Sequence, residues 1–177
     1  MKVTLGELTV ETMKGNIVKQ DDLDAIVNAA NAQLQIGGGV AGAIHRAAGR
    51  GLAEECRPMA PIKPGEAVIS GGHNLPNPHV IHVLGPVYGR DKPEDKLLAD
   101  CYRNALDLAE EHNITSVGFP AISTGAFGYP MREAAAVAFQ TVKKKADELK
   151  NVNLVRFVLF DDESVRIHED ELKKLES

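Results

Sequence analysis

Cysteine is nearly absent from this chain, with only Cys56 and Cys101 in 177 residues. Two thiols are too few for a disulfide framework or a cysteine zinc site. Tryptophan is missing and aromatics amount to 5%, which leaves little basic-aromatic surface for stacking single-stranded nucleic acid. Positive charge is also short: 20 lysines and arginines face 25 aspartates and glutamates, a net of −5. Long-range attraction to nucleic acid or an anionic membrane is not expected, so a nucleic-acid partner is the weakest of the readings considered. No apolar run approaches the ~20 residues of a bilayer span. The start, Met1-Lys2-Val3-Thr4-Leu5-Gly6-Glu7, has no apolar segment of the kind that directs export. The expected location is the cytoplasm, with no membrane partner. Neither G-x-x-x-x-G-K-[ST] nor G-x-S-x-G occurs, which excludes a P-loop triphosphatase and disfavours a nucleophile-elbow hydrolase. His73, His79 and His82 lack metal spacing, since positions 79 and 82 face opposite sides of one strand. No metal and no cofactor are expected.

What is there is an ordinary globular composition, 44% hydrophobic and 25% charged, at a length that predicts one domain over residues 1–177. Val3-Thr4-Leu5 and Leu8 to Met13 read as a hairpin around Gly6-Glu7. Asp24 to Asn28, Glu66 to Ser70, His79 to Leu84, Ser116 to Phe119 and Leu154 to Phe160 read as further strands. Helices are expected over Ala43 to Ala48, from Pro93, from Pro130 and around Val165 to Leu175, with each proline at a first helical position. Cys101 falls on the apolar stripe of the helix after Pro93 and reads as core rather than nucleophile. Lys143-Lys144-Lys145 reads as the wet side of a helix. Strands alternating with helices predict an α/β protein, a three-layer α/β/α sandwich around a mixed, mostly parallel sheet.

In such folds ligands sit at the carboxyl ends of strands. Two glycine-rich stretches take that position: Gly37-Gly38-Gly39-Val40-Ala41-Gly42 after the third strand, and Ser123-Thr124-Gly125-Ala126-Phe127-Gly128 before the helix at Pro130. Gly37, Gly39 and Gly42 formally satisfy G-x-G-x-x-G, but residues 29–36 separate them from the strand, so the dinucleotide fingerprint does not apply. Glycine lets backbone N–H groups approach a ligand, and a helix start adds unsatisfied donors and partial positive charge. Two such loops can hold a pyrophosphate on an acidic protein; alone, the first could equally be a tight turn.

The runs Asp24-Ala25-Ile26-Val27-Asn28-Ala29-Ala30-Asn31, Gly37 to Gly49, and Phe119-Pro120-Ala121-Ile122-Ser123-Thr124-Gly125-Ala126-Phe127-Gly128-Tyr129-Pro130 resemble the macro domain family. The resemblance spans about Met13 to Leu175. It implies an α/β/α fold that binds ADP-ribose or ADP-ribosylated protein. By that resemblance Asn16 and Ile17 hold the adenine edge, Phe160 stacks on the base and Asn31 bonds the distal ribose hydroxyls. Gly37, Gly38, Gly39, Val40, Ser123, Thr124, Gly125, Ala126 and Phe127 surround the pyrophosphate, with Phe127 packed on the distal ribose. Without the resemblance, Phe160 reads as core packing, and Asn28 and Asn31 as turn-formers; of the two, Asn28 reads as the more structural. This chain departs from the family pattern at three places: Asn16 stands for the usual aspartate, Ala41 for the aspartate that one active branch carries after Gly-Gly-Gly-Val, and Ile36 for the histidine that the alanine-bearing branch carries before the glycines.

Two functions follow from the resemblance. One is a hydrolase of ADP-ribose adducts (modified carboxylates, the 1″-phosphate or the O-acetyl ester), with Asn31 as the catalytic residue and His45 as a weaker candidate for orienting water. The other is a non-catalytic ADP-ribose reader, which Ala41 and Ile36 favour.

Overall fold

The structure, a computed structural model, describes residues Met1–Glu176. Its centre is a seven-stranded sheet of β1 (Lys2–Leu5), β2 (Leu8–Lys14), β3 (Ala25–Ala29), β4 (Ala67–Gly71), β5 (His79–Val83), β6 (Ser116–Phe119) and β7 (Leu154–Leu159), in the spatial order β1-β2-β7-β6-β3-β5-β4. The five inner strands run parallel, while β1 and β4 lie antiparallel at the two edges. β3 is short and apolar because both its faces are covered: Ala25, Ile26 and Val27 are fully buried between β6 and β5.

Helices α1 (Gly39–Ala48) and α2 (Arg50–Cys56) cover one face, where Ile44, Leu52 and Cys56 pack against Ile26 and Val80. Helices α3 (Glu94–Glu111), α4 (Met131–Lys145) and α5 (Asp162–Lys173) cover the other. That second layer is centred on Phe157, whose ring lies 5.6 Å from Phe119 and 4.7 Å from Phe139. The predicted three-layer sandwich is therefore the observed one. Cys101 is fully buried, its Sγ donating to the Leu84 carbonyl at 3.2 Å, and burial pushes its thiol up to about 12. It is core, as its stripe position indicated.

Several boundaries differ from the expectation. Pro93 and Pro130 cap α3 and α4 from outside rather than opening them. A proline φ suits either position and only ψ separates them, which residue type does not reveal. The first helix begins at Gly39 rather than Ala43, and a second, Arg50–Cys56, follows a break at Gly49. β7 ends at Leu159, leaving Phe160 outside the strand. Of the three lysines, 143 and 144 are exposed, but Lys145 is buried on the turn facing α3, where Asp107 accepts from its Nζ at 2.5 Å.

Candidate functional site

Strands β3 and β6 are neighbours, yet the chain leaving β3 enters α1 on one face and the chain leaving β6 enters α4 on the other. Connections that diverge in this way open a crevice at the carboxyl edge of the sheet. It holds a cavity of about 340 Å³ whose walls come from both glycine loops. Gly37, Gly38, Gly39 and Val40 line one side; Ser123, Gly125, Ala126 and Phe127 line the other. Gly39 is the first residue of α1 and holds φ at +56, a conformation a side chain would strain. Among the described residues no backbone carbonyl accepts from the amides of Gly37, Gly38, Ala126 or Phe127, and the first intrahelical bond of α1 is made by Gly42 N–H. The loops thus present unsatisfied donors to one space, with the positive end of α1 behind them.

A second chamber of about 640 Å³ adjoins the first, sharing Gly39 and Val40. Asn16, Ile17 and Phe160 line it, so the structure brings these three together at the ends of β2 and β7. Phe160 is 89% exposed, which overturns the core-packing alternative. Asn16 opens a 3-10 turn over Ile17–Lys19, its Oδ1 accepting from Val18 N–H at 3.1 Å.

Other residues take roles that residue type did not reveal. Asn31 lines the smaller chamber, but its amide also braces the loop: Nδ2 donates to the Gln35 carbonyl at 2.9 Å and Oδ1 accepts from Gln35 N–H at 3.1 Å. Ser123 turns its hydroxyl away, donating to the Pro86 carbonyl at 2.8 Å, and keeps φ at +68. That backbone conformation costs a non-glycine residue about 1–3 kcal/mol, and the Pro86 bond helps to hold it. Thr124 Oγ1 donates to the Ala121 carbonyl at 2.8 Å, and the residue is not among those lining either chamber. The structure places His45 apart from the two loops. The side chain lies 5% exposed on the buried side of α1 and is not among the residues lining either chamber. Asn28 is structural, as read, its Nδ2 meeting His82 Nδ1 at 3.0 Å in the buried layer.

Gly85, just past β5, also lines the smaller chamber, at a position to which the strand-end rule points. A Cβ there would fall on Ser123 Oγ and 2.7 Å from Ile122 Cγ2, so glycine lets the segment after β5 lie against the Ser123 loop. Gly85→Ala is expected to destabilise the protein by about 1–3 kcal/mol in urea denaturation; an unchanged midpoint would show that Ser123 yields freely.

The chemistry of the cleft is largely that of backbone amides. Lys14 is the one charged residue lining either chamber among the described residues, and Asp162 pairs with it at 3.2 Å.

A family model described as Macro domain matches residues 27–138. A macro domain-containing protein of Chlorobaculum tepidum is 48% identical over 151 residues, covering 85% of this chain and 88% of that protein. This chain belongs to the macro domain family. Its fold agrees with an Oceanobacillus iheyensis macrodomain solved with ADP, at a TM-score of 0.94 and 42% identity over 99% of this chain and 95% of the other. A Trypanosoma brucei macrodomain in complex with ADP-ribose matches at 0.85 and 36% identity, covering 91% of this chain and 68% of that one.

Beneath the cleft of this macro domain lies a buried polar cluster. His82 is fully buried between Asn28 and Ser70, whose Oγ lies 2.9 Å from His82 Nε2. Burial first, and the neighbouring His45 second, drive its pKa down to about 3. The imidazole is therefore neutral: Nδ1 accepts from the Asn28 amide and Nε2–H donates to Ser70. Burial also lowers His45 and His168. No helix among the described residues is long and apolar enough to cross a membrane.

Proposed function

We propose that this macro domain binds ADP-ribose and hydrolyses its adducts: mono-ADP-ribosylated carboxylates, ADP-ribose 1″-phosphate or O-acetyl-ADP-ribose. One observation carries the reading: two loops with unpartnered amides face a single cavity that opens into a chamber bearing an exposed aromatic ring. A pyrophosphate fits the amide-lined space, since helix starts and glycine loops bind anions without side-chain charge. The base fits the larger chamber, against Phe160. Relatives solved with ADP and with ADP-ribose support the same ligand.

The hydrolytic step is substrate-assisted, because no lining side chain is a suitable general base. Water held between a pyrophosphate oxygen and the Asn31 amide attacks the anomeric carbon. The C–O bond to the carried carboxylate or phosphate breaks, that group leaves as an anion, and the water proton passes to the pyrophosphate oxygen. For the O-acetyl ester the same water attacks the ester carbonyl, the acyl C–O bond breaks, acetate is released, and the ribose oxygen leaves as a hydroxyl after taking up the water proton. Loop amides orient the pyrophosphate and offset developing charge. Calorimetry with ADP-ribose against ADP, ribose-5-phosphate and NAD tests the binding; no preference for ADP-ribose would overturn it. Single-turnover release of ADP-ribose from a modified protein tests the hydrolysis.

Asn31→Ala is expected to slow that release about a hundredfold while raising Kd far less. It also loosens the loop, lowering stability by about 1–2 kcal/mol as two hydrogen bonds to Gln35 disappear. Full turnover in the variant removes Asn31 from the mechanism. The absence of a general base among the lining residues also favours a second reading, a non-catalytic ADP-ribose reader. Binding without release would establish it.

A further inference from the structure

The base chamber is bordered by the turn Asn16–Ile17, and that turn is held from behind. Gln20 is 4% exposed and its Nε2 donates to the Asn16 carbonyl at 3.0 Å. Lys19 N–H donates to the same carbonyl at 3.0 Å. Gln20 Oε1 accepts from Arg156 Nη1 at 2.9 Å. Arg156 is fixed in turn by Asp22, which takes Nη1 and Nη2 at 2.8 Å each, and by Glu11 at 3.6 Å from its Nε.

The orientation of the Gln20 amide follows without ambiguity. A guanidinium only donates, so the glutamine oxygen must face Arg156 and its NH2 must face Asn16. The Asn16 carbonyl and the Ile17 N–H belong to one trans peptide and point in opposite directions. Two donors pull the carbonyl inward, so the Ile17 N–H turns outward. The two amides that follow it are already used: Val18 N–H goes to Asn16 Oδ1 and Lys19 N–H to the Asn16 carbonyl. Ile17 N–H has no acceptor among the described residues, and Ile17 borders the chamber.

We propose that Gln20 and Arg156 are positioning residues for base recognition, aiming the Ile17 N–H at an unprotonated ring nitrogen of the bound purine. Neither residue lines the chamber, and both act through the peptide between Asn16 and Ile17. The inference rests on the ADP-ribose reading and extends it to base selectivity. A ring nitrogen carrying its own hydrogen, as N1 does in a 6-oxopurine, would meet this donor with another donor.

Gln20→Glu isolates the effect. It keeps the shape and the contact with Arg156 but sets a carboxylate oxygen against the Asn16 carbonyl. The Kd for ADP-ribose is expected to rise about three- to tenfold, the worth of roughly one hydrogen bond. The Kd for ribose-5-phosphate, which has no base, should change less than about twofold. An unchanged ADP-ribose affinity in a folded variant overturns the proposal, and so does an equal loss for both ligands, which marks a merely structural role. Should Gln20→Glu fail to fold, Arg156→Lys is judged by the same two ratios, because lysine cannot hold Gln20 and Asp22 together. Wild-type protein that binds neither ligand refutes the ADP-ribose reading itself, a result distinct from an unselective loss.

Discussion

Replacing Phe160 by alanine leaves the thermal midpoint unchanged and weakens ADP-ribose binding by about ten- to a hundredfold. The two halves of this result have separate causes. The ring is 89% exposed, so its removal deletes almost no intramolecular contact, and surface changes of that kind usually stay within about 0.5 kcal/mol. A ring left in water at the end of a core strand does nothing for the fold. Stacked on a purine, it contributes about 1–3 kcal/mol. Phe160→Tyr should keep the affinity, since the aromatic face remains. Calorimetry beside differential scanning gives both quantities. Equal Kd values for the wild type and Phe160→Ala would remove the base from this chamber, and a large drop in midpoint would mean that the ring is packed after all.

The second large effect is acid lability set by the buried imidazoles. In the unfolded chain a histidine takes up its proton near 6.5, whereas folded His82 does so only near 3. Above 6.5 neither state is protonated and the difference contributes nothing. As pH falls, the unfolded chain binds a proton that the folded one refuses, and stability is lost across the window from 6.5 to about 3. Each such histidine costs roughly 1.4 kcal/mol per pH unit, so His82 alone removes about 2 kcal/mol by pH 5. His45 and His168 act in the same direction. Carboxylates enter later: the hydrogen bond from Arg156 holds Asp22 below its ordinary 3.8, so its share is lost only in stronger acid. Denaturant midpoints between pH 7.5 and 5 should therefore fall well before the carboxylates titrate. In His82→Gln the starting stability is lower and the slope shallower by about one proton. A flat profile over that range, or the same slope in the variant, rules out the buried neutral imidazole.

The two predictions draw on different layers of the molecule, and the layers were not equally legible. Strand and helix order could be read because each element carries its own period; the buried apolar run of β3 and the stripe of α3 are local signals. The glycine loops were legible as a pair, since Gly37-Gly38-Gly39 alone could be a tight turn but two such stretches in connections that follow strands point to one ligand site. Asn31 was harder. Residue type permits both ligand contact and loop bracing, and its bonds to Gln35 appear only once the loop has a shape. That Thr124 and His45 lie outside the chamber linings was not legible, because spacing along the chain does not say which way a short loop turns or which side of a helix start faces the crevice.

By itself, then, the order of residues determined the layered fold, the two amide-bearing loops and the near absence of charge where a phosphate would lie, because each of these is written within one short segment. Only the tertiary structure decided that Gly85 admits Ser123, that His82 is sealed between Asn28 and Ser70, and that Arg156 grips Gln20 from 136 positions away. Such contacts join distant segments through space. No period or composition records them until the sheet has brought the strands side by side.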